Sequence, residues 1–146
     1  MTTAMRTIFV LGLVVCVGST LFMSLVVLPM IFINMETSAA GGVAALLFPA
    51  YYWTGLGGGL LLLLASVMLA RSGGRTWRYV VAAVVVMLAC QAYAQFSIRP
   101  EMAGLRGVDS AVGEFQRLHK LSVALNNVVL IGGVLLVMGS GALLRD

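Results

Sequence analysis

Charge is scarce in this sequence. Only 10% of its 146 residues are Asp, Glu, Lys or Arg, while 61% are hydrophobic. Soluble domains run about 45–50% apolar and about 25% charged. A soluble fold of this length could not hide so much apolar surface, so the composition is that of an integral membrane protein. Histidine is nearly absent: His119 is the only one. One histidine excludes bis-histidine haem ligation within a single chain. There are two cysteines, Cys16 and Cys90, both inside apolar stretches and not in a CxxC pair. With His119 they cannot supply four zinc ligands without carboxylate help, and they read as small buried residues. No GxSxG, HExxH or GxxxxGK[ST] pattern occurs, which removes the common hydrolase, metalloprotease and phosphate-loop signatures. The nine Lys and Arg residues form no basic run. Anionic lipid headgroups explain the net charge of +4 better than a nucleic-acid partner does.

Four apolar segments are present, at about 8–33, 43–70, 77–97 and 121–144. Each meets the roughly 20 residues that a membrane-spanning helix needs. The runs are continuous rather than alternating, which favours helices over a barrel. The expected fold is an all-α bundle of four transmembrane helices in one integral membrane domain. The first segment is longer than the h-region of about 7–15 residues in a signal peptide, so it is expected to be a retained first span.

The connections differ in character. Asn34–Gly42 is short, Arg71–Thr76 is a tight Arg-Ser-Gly-Gly-Arg turn, and Ile98–Lys120 is the longest and most charged. Pro100 disfavours helical backbone at Arg99, which predicts the end of the third helix there. The second half of the long connection predicts a short amphipathic helix before the fourth span. Asp109 or Ser110 would cap it, and Val112, Phe115 and Leu118 would form its apolar edge. Arg6, Arg71, Arg75, Arg78 and Arg145 fall on one side of the membrane, and Arg99, Arg106, Arg117 and Lys120 on the other. This small excess places both termini in the cytoplasm, and the expected location is a cell membrane.

Polar residues within the spans share one depth. Ser19, Thr20 and Ser24 in the first, Tyr51 to Thr54 in the second, Gln91, Tyr93 and Gln95 in the third, and His119, Ser122, Asn126 and Asn127 in the fourth all lie toward the long connection. His119, Ser122 and Asn126 follow i, i+3, i+7 spacing, one helical face. Gln91 and Gln95 share another at i, i+4. Polar groups in lipid face other helices or a wet pocket, and two readings are open. One is an interhelical hydrogen-bond network that fixes packing. The other is a binding pocket lined by His119, Ser122, Asn126, Gln91 and Gln95, with Arg99 at its mouth. His119 could be a solvated interfacial residue, a proton carrier, a metal ligand or an axial haem ligand; a haem would need further ligands or a partner subunit. Ser122 lies three residues from His119, but no carboxylate is spaced to orient that histidine, so a catalytic dyad is not expected. Tyr51, Tyr52, Trp53 and Trp77 suit interfacial anchoring, and Pro49 kinks the second helix or marks its start. Small residues form a second pattern. Gly12, Cys16, Thr20 and Ser24 make an i+4 stripe, and Gly55–Gly59 contains a GxxxG spacing; both suit close helix packing.

The segments Ile98-Arg-Pro-Glu-Met-Ala-Gly-Leu-Arg106 and Phe115-Gln-Arg-Leu-His-Lys-Leu-Ser-Val-Ala-Leu-Asn126 carry a resemblance, joined by Ala39-Ala-Gly-Gly-Val-Ala-Ala-Leu-Leu-Phe-Pro-Ala50. With the four-helix layout, the chain resembles the bacterial membrane family catalogued as domain of unknown function 4149, whose eukaryotic relatives are called transmembrane protein 205-like. The resemblance implies a four-helix integral membrane protein, and His119, Ser122 and Asn126 are the positions that match its F-x-x-L-H-x-x-S-x-x-x-N pattern. It brings no substrate, reaction or cofactor. The functional expectation is a non-enzymatic module that binds or passes a small solute, ion or lipid. The alternatives are a structural or accessory subunit of a larger membrane complex or homo-oligomer, and a haem- or quinone-associated redox protein.

Overall fold

The structure, a computed structural model, describes residues 2–72 and 74–144. Among the described residues there is no strand, and four helices are long and apolar enough to cross a membrane: α1 (Thr3–Asn34), α2 (Thr37–Arg71), α3 (Arg75–Leu105) and α4 (Val112–Leu143). The chain is a multi-pass membrane protein built as a four-helix bundle. Successive helices pack on one another and α1 also packs on α4, which closes the ring. The helices run 31 to 35 residues, about 47–53 Å at 1.5 Å per residue. A hydrocarbon core is about 30 Å thick, so their ends reach through the headgroup layers or the helices tilt.

The helices overrun the apolar segments, and the connections shrink accordingly. Only Met35 and Glu36 separate α1 from α2. The Thr-Ser-Ala-Ala-Gly-Gly stretch expected in that connection is the first turn and a half of α2. On the far side, α3 continues past Arg99, whose backbone is helical at φ −60°, ψ −48°. The expected helix end at Pro100 is therefore corrected. The reason is a wider π turn at Ala94–Ile98, in which the Arg99 N–H bonds the Ala94 carbonyl five residues back. A proline in a regular helix clashes with the carbonyl four residues earlier; for Pro100 that is Phe96, inside the wide turn. The same device precedes Pro29. Residues Met23–Val27 form a π turn, and the Leu28 N–H bonds Met23. Pro49 sits inside α2 and does not start it.

Past α3 the chain turns at Gly107, whose φ of +80° is the only positive value among the described residues and suits a residue without a Cβ. A single 3₁₀ turn, Asp109–Ala111, then leads into α4. The amphipathic stretch with Val112, Phe115 and Leu118 is continuous with the fourth span and forms its opening turns. Ala111 precedes α4 without a side-chain capping bond, so Ser110 is not its cap. The Asp109 side chain and Arg145 lie outside the described residues.

The two halves of the bundle are packed differently. Toward the termini the core is dense: Phe9, Leu13, Leu62, Trp77, Val84 and Val129 are buried together, and Phe9 meets Trp77 edge to face at 5.4 Å. Trp77 is thus a core residue rather than an interfacial anchor. Glycines set the helix spacing here. A Cβ on Gly12 would stand 2.6 Å from the backbone nitrogen of Leu62, and one on Gly58 would stand 2.8 Å from that of Cys16. So α1 and α2 touch backbone to backbone. The adjacent Gly59 receives Leu88 of α3, while Gly132 and Gly133 of α4 receive Met87 of α3 and Val17 of α1. Toward the long connection the buried cluster around Met23, Tyr51, Tyr52 and Ala94 is smaller, and a hollow opens within the bundle.

Candidate functional site

The hollow is a cavity of about 460 Å³ walled by all four helices. The α4 wall is His119, Ser122, Val123, Asn126, Asn127 and Leu130, a single stripe at i, i+3, i+4, i+7 and onward. The α3 wall is Ala94, Ile98, Arg99, Met102 and Ala103, with Arg106 just past the helix end; it exists because the π turn lets the helix run past Pro100. From α1 come Met23, Ser24, Leu25 and Leu28, and from α2 come Ala45, Phe48, Tyr51 and Tyr52.

Hydrogen bonds tie the floor of this cavity together. The Tyr51 hydroxyl donates to Asn126 Oδ1 and lies 3.5 Å from Thr20 Oγ1. Asn126 Nδ2 donates to Ser24 Oγ at 3.0 Å. Three helices are thereby joined through one asparagine. Beside it, the Tyr52 hydroxyl and Ser122 Oγ are 3.3 Å apart, joining α2 to α4. Tyr51 and Tyr52 are thus interior hydrogen-bonding residues, and only Trp53 of that aromatic run is well exposed, at 59%. Arg99 Nε donates to Gln95 Oε1 at 2.8 Å, one turn back on α3.

Of the six residues singled out in the sequence, His119, Ser122, Asn126 and Arg99 line the cavity. Gln95 is buried and reaches it through Arg99. Gln91 is set apart. It is 2% exposed, its amide nitrogen lies 4.0 Å from Cys16 Sγ, and its side-chain carbonyl is buried without a partner. Its amide fills the space that the missing Cβ of Gly55 leaves on α2. Arg106, Tyr51, Tyr52 and Ser24 join the site beyond those six. Arg106 follows Arg99 by seven residues, two helical turns, a spacing that the expected break at Pro100 concealed.

The polar layer combines an interhelical hydrogen-bond network at its floor with the lining of a cavity above it. The Ser122 hydroxyl faces that of Tyr52. Among the described residues no three His, Cys, Asp or Glu side chains gather as a metal site.

Replacing Asn126 with alanine is expected to destabilise the bundle by about 1–2 kcal/mol, because interhelical hydrogen bonds in membranes contribute about 0.6 kcal/mol on average and about 1.7 at most. Tyr51→Phe should cost less, and the double variant less than the sum. Unfolding titrations in detergent check this; strict additivity would show that the two side chains do not act through one bond.

A family model described as "Domain of unknown function (DUF4149)" matches residues 11–108 of this chain. The chain belongs to that family. The DUF4149 match contains the Ala39–Ala50 and Ile98–Arg106 segments and ends before the Phe115–Asn126 segment. It therefore takes in the α1, α2 and α3 walls of the cavity. No curated protein and no solved structure is similar enough to this chain to count as a match.

Proposed function

We propose that this DUF4149 protein is a non-enzymatic membrane module that binds, and in doing so can pass, a small solute, ion or lipid in its loop-side cavity. One observation supports the reading: a cavity walled by all four helices, lined mostly with hydrocarbon, to which each span contributes at least one hydrogen-bonding side chain. Small-ligand sites are typically concave, mostly apolar and furnished with a few polar groups, at about 300–1,000 Å³. The proposed setting is the bacterial inner membrane, and the Lys and Arg distribution favours cytoplasmic termini there. Labelling of Ser110→Cys, but not Gly74→Cys, by an impermeant thiol reagent added outside intact cells is the expected result for that orientation.

The cavity is tested by filling it. Protein purified in mild detergent should carry small-molecule adducts in native mass spectrometry, and Ala45→Phe combined with Val123→Phe should remove them. Identical adduct patterns in the filled and unfilled proteins would sink the reading.

A second reading, an accessory subunit of a larger assembly, is supported by α4. Only 17% of its central window is buried within the bundle, against 33–44% for the other helices, and Ile131, Leu135 and Met138 stand on its open face. Lipid covers such a face in a monomer. Co-purification of the intact protein with a stoichiometric partner, or a homo-oligomer lost on Leu135→Trp, would favour assembly.

A further inference from the structure

We infer that the cavity holds one acyl chain of an anionic phospholipid, with the lipid phosphate bound by Arg99 and Arg106. The inference rests on the binding reading above and narrows it to a ligand class.

Depth is the first support. Asn126, on the cavity floor, lies at the middle of α4, whereas Arg99 lies nine residues past the middle of α3. That is about 13 Å along the axis at 1.5 Å per residue, close to the edge of a hydrocarbon layer about 15 Å deep in each leaflet. Arg106 lies two turns further out, among headgroups. The cavity therefore runs along the path that a lipid chain of that leaflet follows, from headgroup level inward.

Charge is the second. Among the described residues, Arg99, Arg106 and His119 line the cavity and no Asp or Glu does. Among the described residues neither arginine has a carboxylate within 4.0 Å. The bond from Arg99 Nε to Gln95 fixes the guanidinium and leaves its terminal nitrogens to donate. Two arginines on one cavity wall, with no described carboxylate beside them, match the charge of a phosphate.

Shape is the third. Below the cations the lining turns mostly apolar, with Met23, Leu25, Phe48, Val123 and Leu130 set around the hydrogen-bonded floor of Tyr51, Asn126 and Ser24. Leu25 and Val123 line the cavity yet remain 64% and 45% exposed on the flanks of α1 and α4. Beyond its π turn α1 packs mainly on α2, so the wall is open sideways between α1 and α4. A lipid can enter there with one chain while the other stays in the bilayer, as a volume of about 460 Å³ requires.

The test titrates the purified protein with phosphatidylglycerol and with phosphatidylcholine of the same chains, and reads bound lipid by native mass spectrometry. The expected result is a preference of at least about tenfold for phosphatidylglycerol, since each Lys or Arg near an anionic surface contributes about 1 kcal/mol. Arg99→Gln with Arg106→Gln should abolish the preference. Arg75→Gln with Arg78→Gln, at the opposite end of α3, should keep it. Should the double variant at Arg99 and Arg106 fail to fold, exposed Arg106→Gln alone should still lower the preference severalfold. Equal binding of the two lipids, or equal loss in both arginine pairs, overturns the inference. If Ala45→Phe with Val123→Phe strips the native adducts while the two lipids bind equally, the cavity reading survives and the lipid assignment falls. If filling changes nothing, both fall.

Discussion

Valine at position 12 is expected to force α1 and α2 apart and to lower the unfolding midpoint in detergent more than any other single change on the buried faces. A Cβ at Gly12 would sit 2.6 Å from Leu62 N and 2.8 Å from the Gly58 carbonyl oxygen. Both are backbone atoms of a helix, so no rotamer change can make room. Overpacking of cores typically costs about 1–3 kcal/mol when side chains can adjust; a backbone obstacle places this variant at or beyond the upper end. Association of membrane helices draws on close packing rather than on expulsion of water, so the lost contact has no hydrophobic compensation. Gly18→Val is the control: nothing lies within 4 Å of its Cβ position, and its melting midpoint should stay within error of the parent. If Gly12→Val melts with the control, the backbone contact between α1 and α2 is not formed in the folded protein.

Methionine at position 91 should act in the opposite sense and stabilise the bundle. Gln91 is buried beside Cys16 and Gly55 with its carbonyl oxygen unpaired. An unsatisfied buried acceptor costs about 1–3 kcal/mol, and methionine has nearly the same length and flexibility without that cost. What is lost is a weak N–H contact to sulfur at 4.0 Å. A gain of about 1 kcal/mol or more is therefore expected in unfolding titrations, with lipid binding at the cavity unchanged, because Gln91 does not line it. A destabilised Gln91→Met would show that the amide oxygen has a partner inside the membrane, and would restore Gln91 as a ligand contact.

The spans, their alternation and the common depth of the polar groups were all readable from the sequence, because hydropathy and helical rise convert residue number into position along the membrane normal. Direction around each helix was harder. The stripe from His119 to Asn126 was legible from spacing within one helix. That Tyr51 would meet Asn126 while Gln91 would turn toward Gly55 depends on how helices rotate against each other, which pairs of small residues decide. Gly58 and Gly59 face different neighbours, and so do Gly132 and Gly133; a GxxxG spacing marks closeness but not the partner. The largest error, ending the third helix at Arg99, came from applying the proline rule to a regular helix. A π turn carries no strong composition signal, and Ala94-Gln-Phe-Ser-Ile98 reads as ordinary helix.

Those wide turns also change what an insertion or deletion means in this chain. Each π turn contains one residue more than an α turn of the same height, so every position beyond it is rotated by about 100° relative to an uninterrupted α-helix. Removing any one residue from Ala94–Ile98 would shorten α3 by a single residue and leave it long and apolar enough to span the membrane. It would nonetheless swing Arg99, Met102 and Arg106 away from the cavity and bring Pro100 against a carbonyl. Indels are usually tolerated at loop tips and excluded from helices. Here two five-residue stretches inside transmembrane helices act as phase keys, and a frame-preserving change of one codon there would switch the face that the membrane, rather than the cavity, receives.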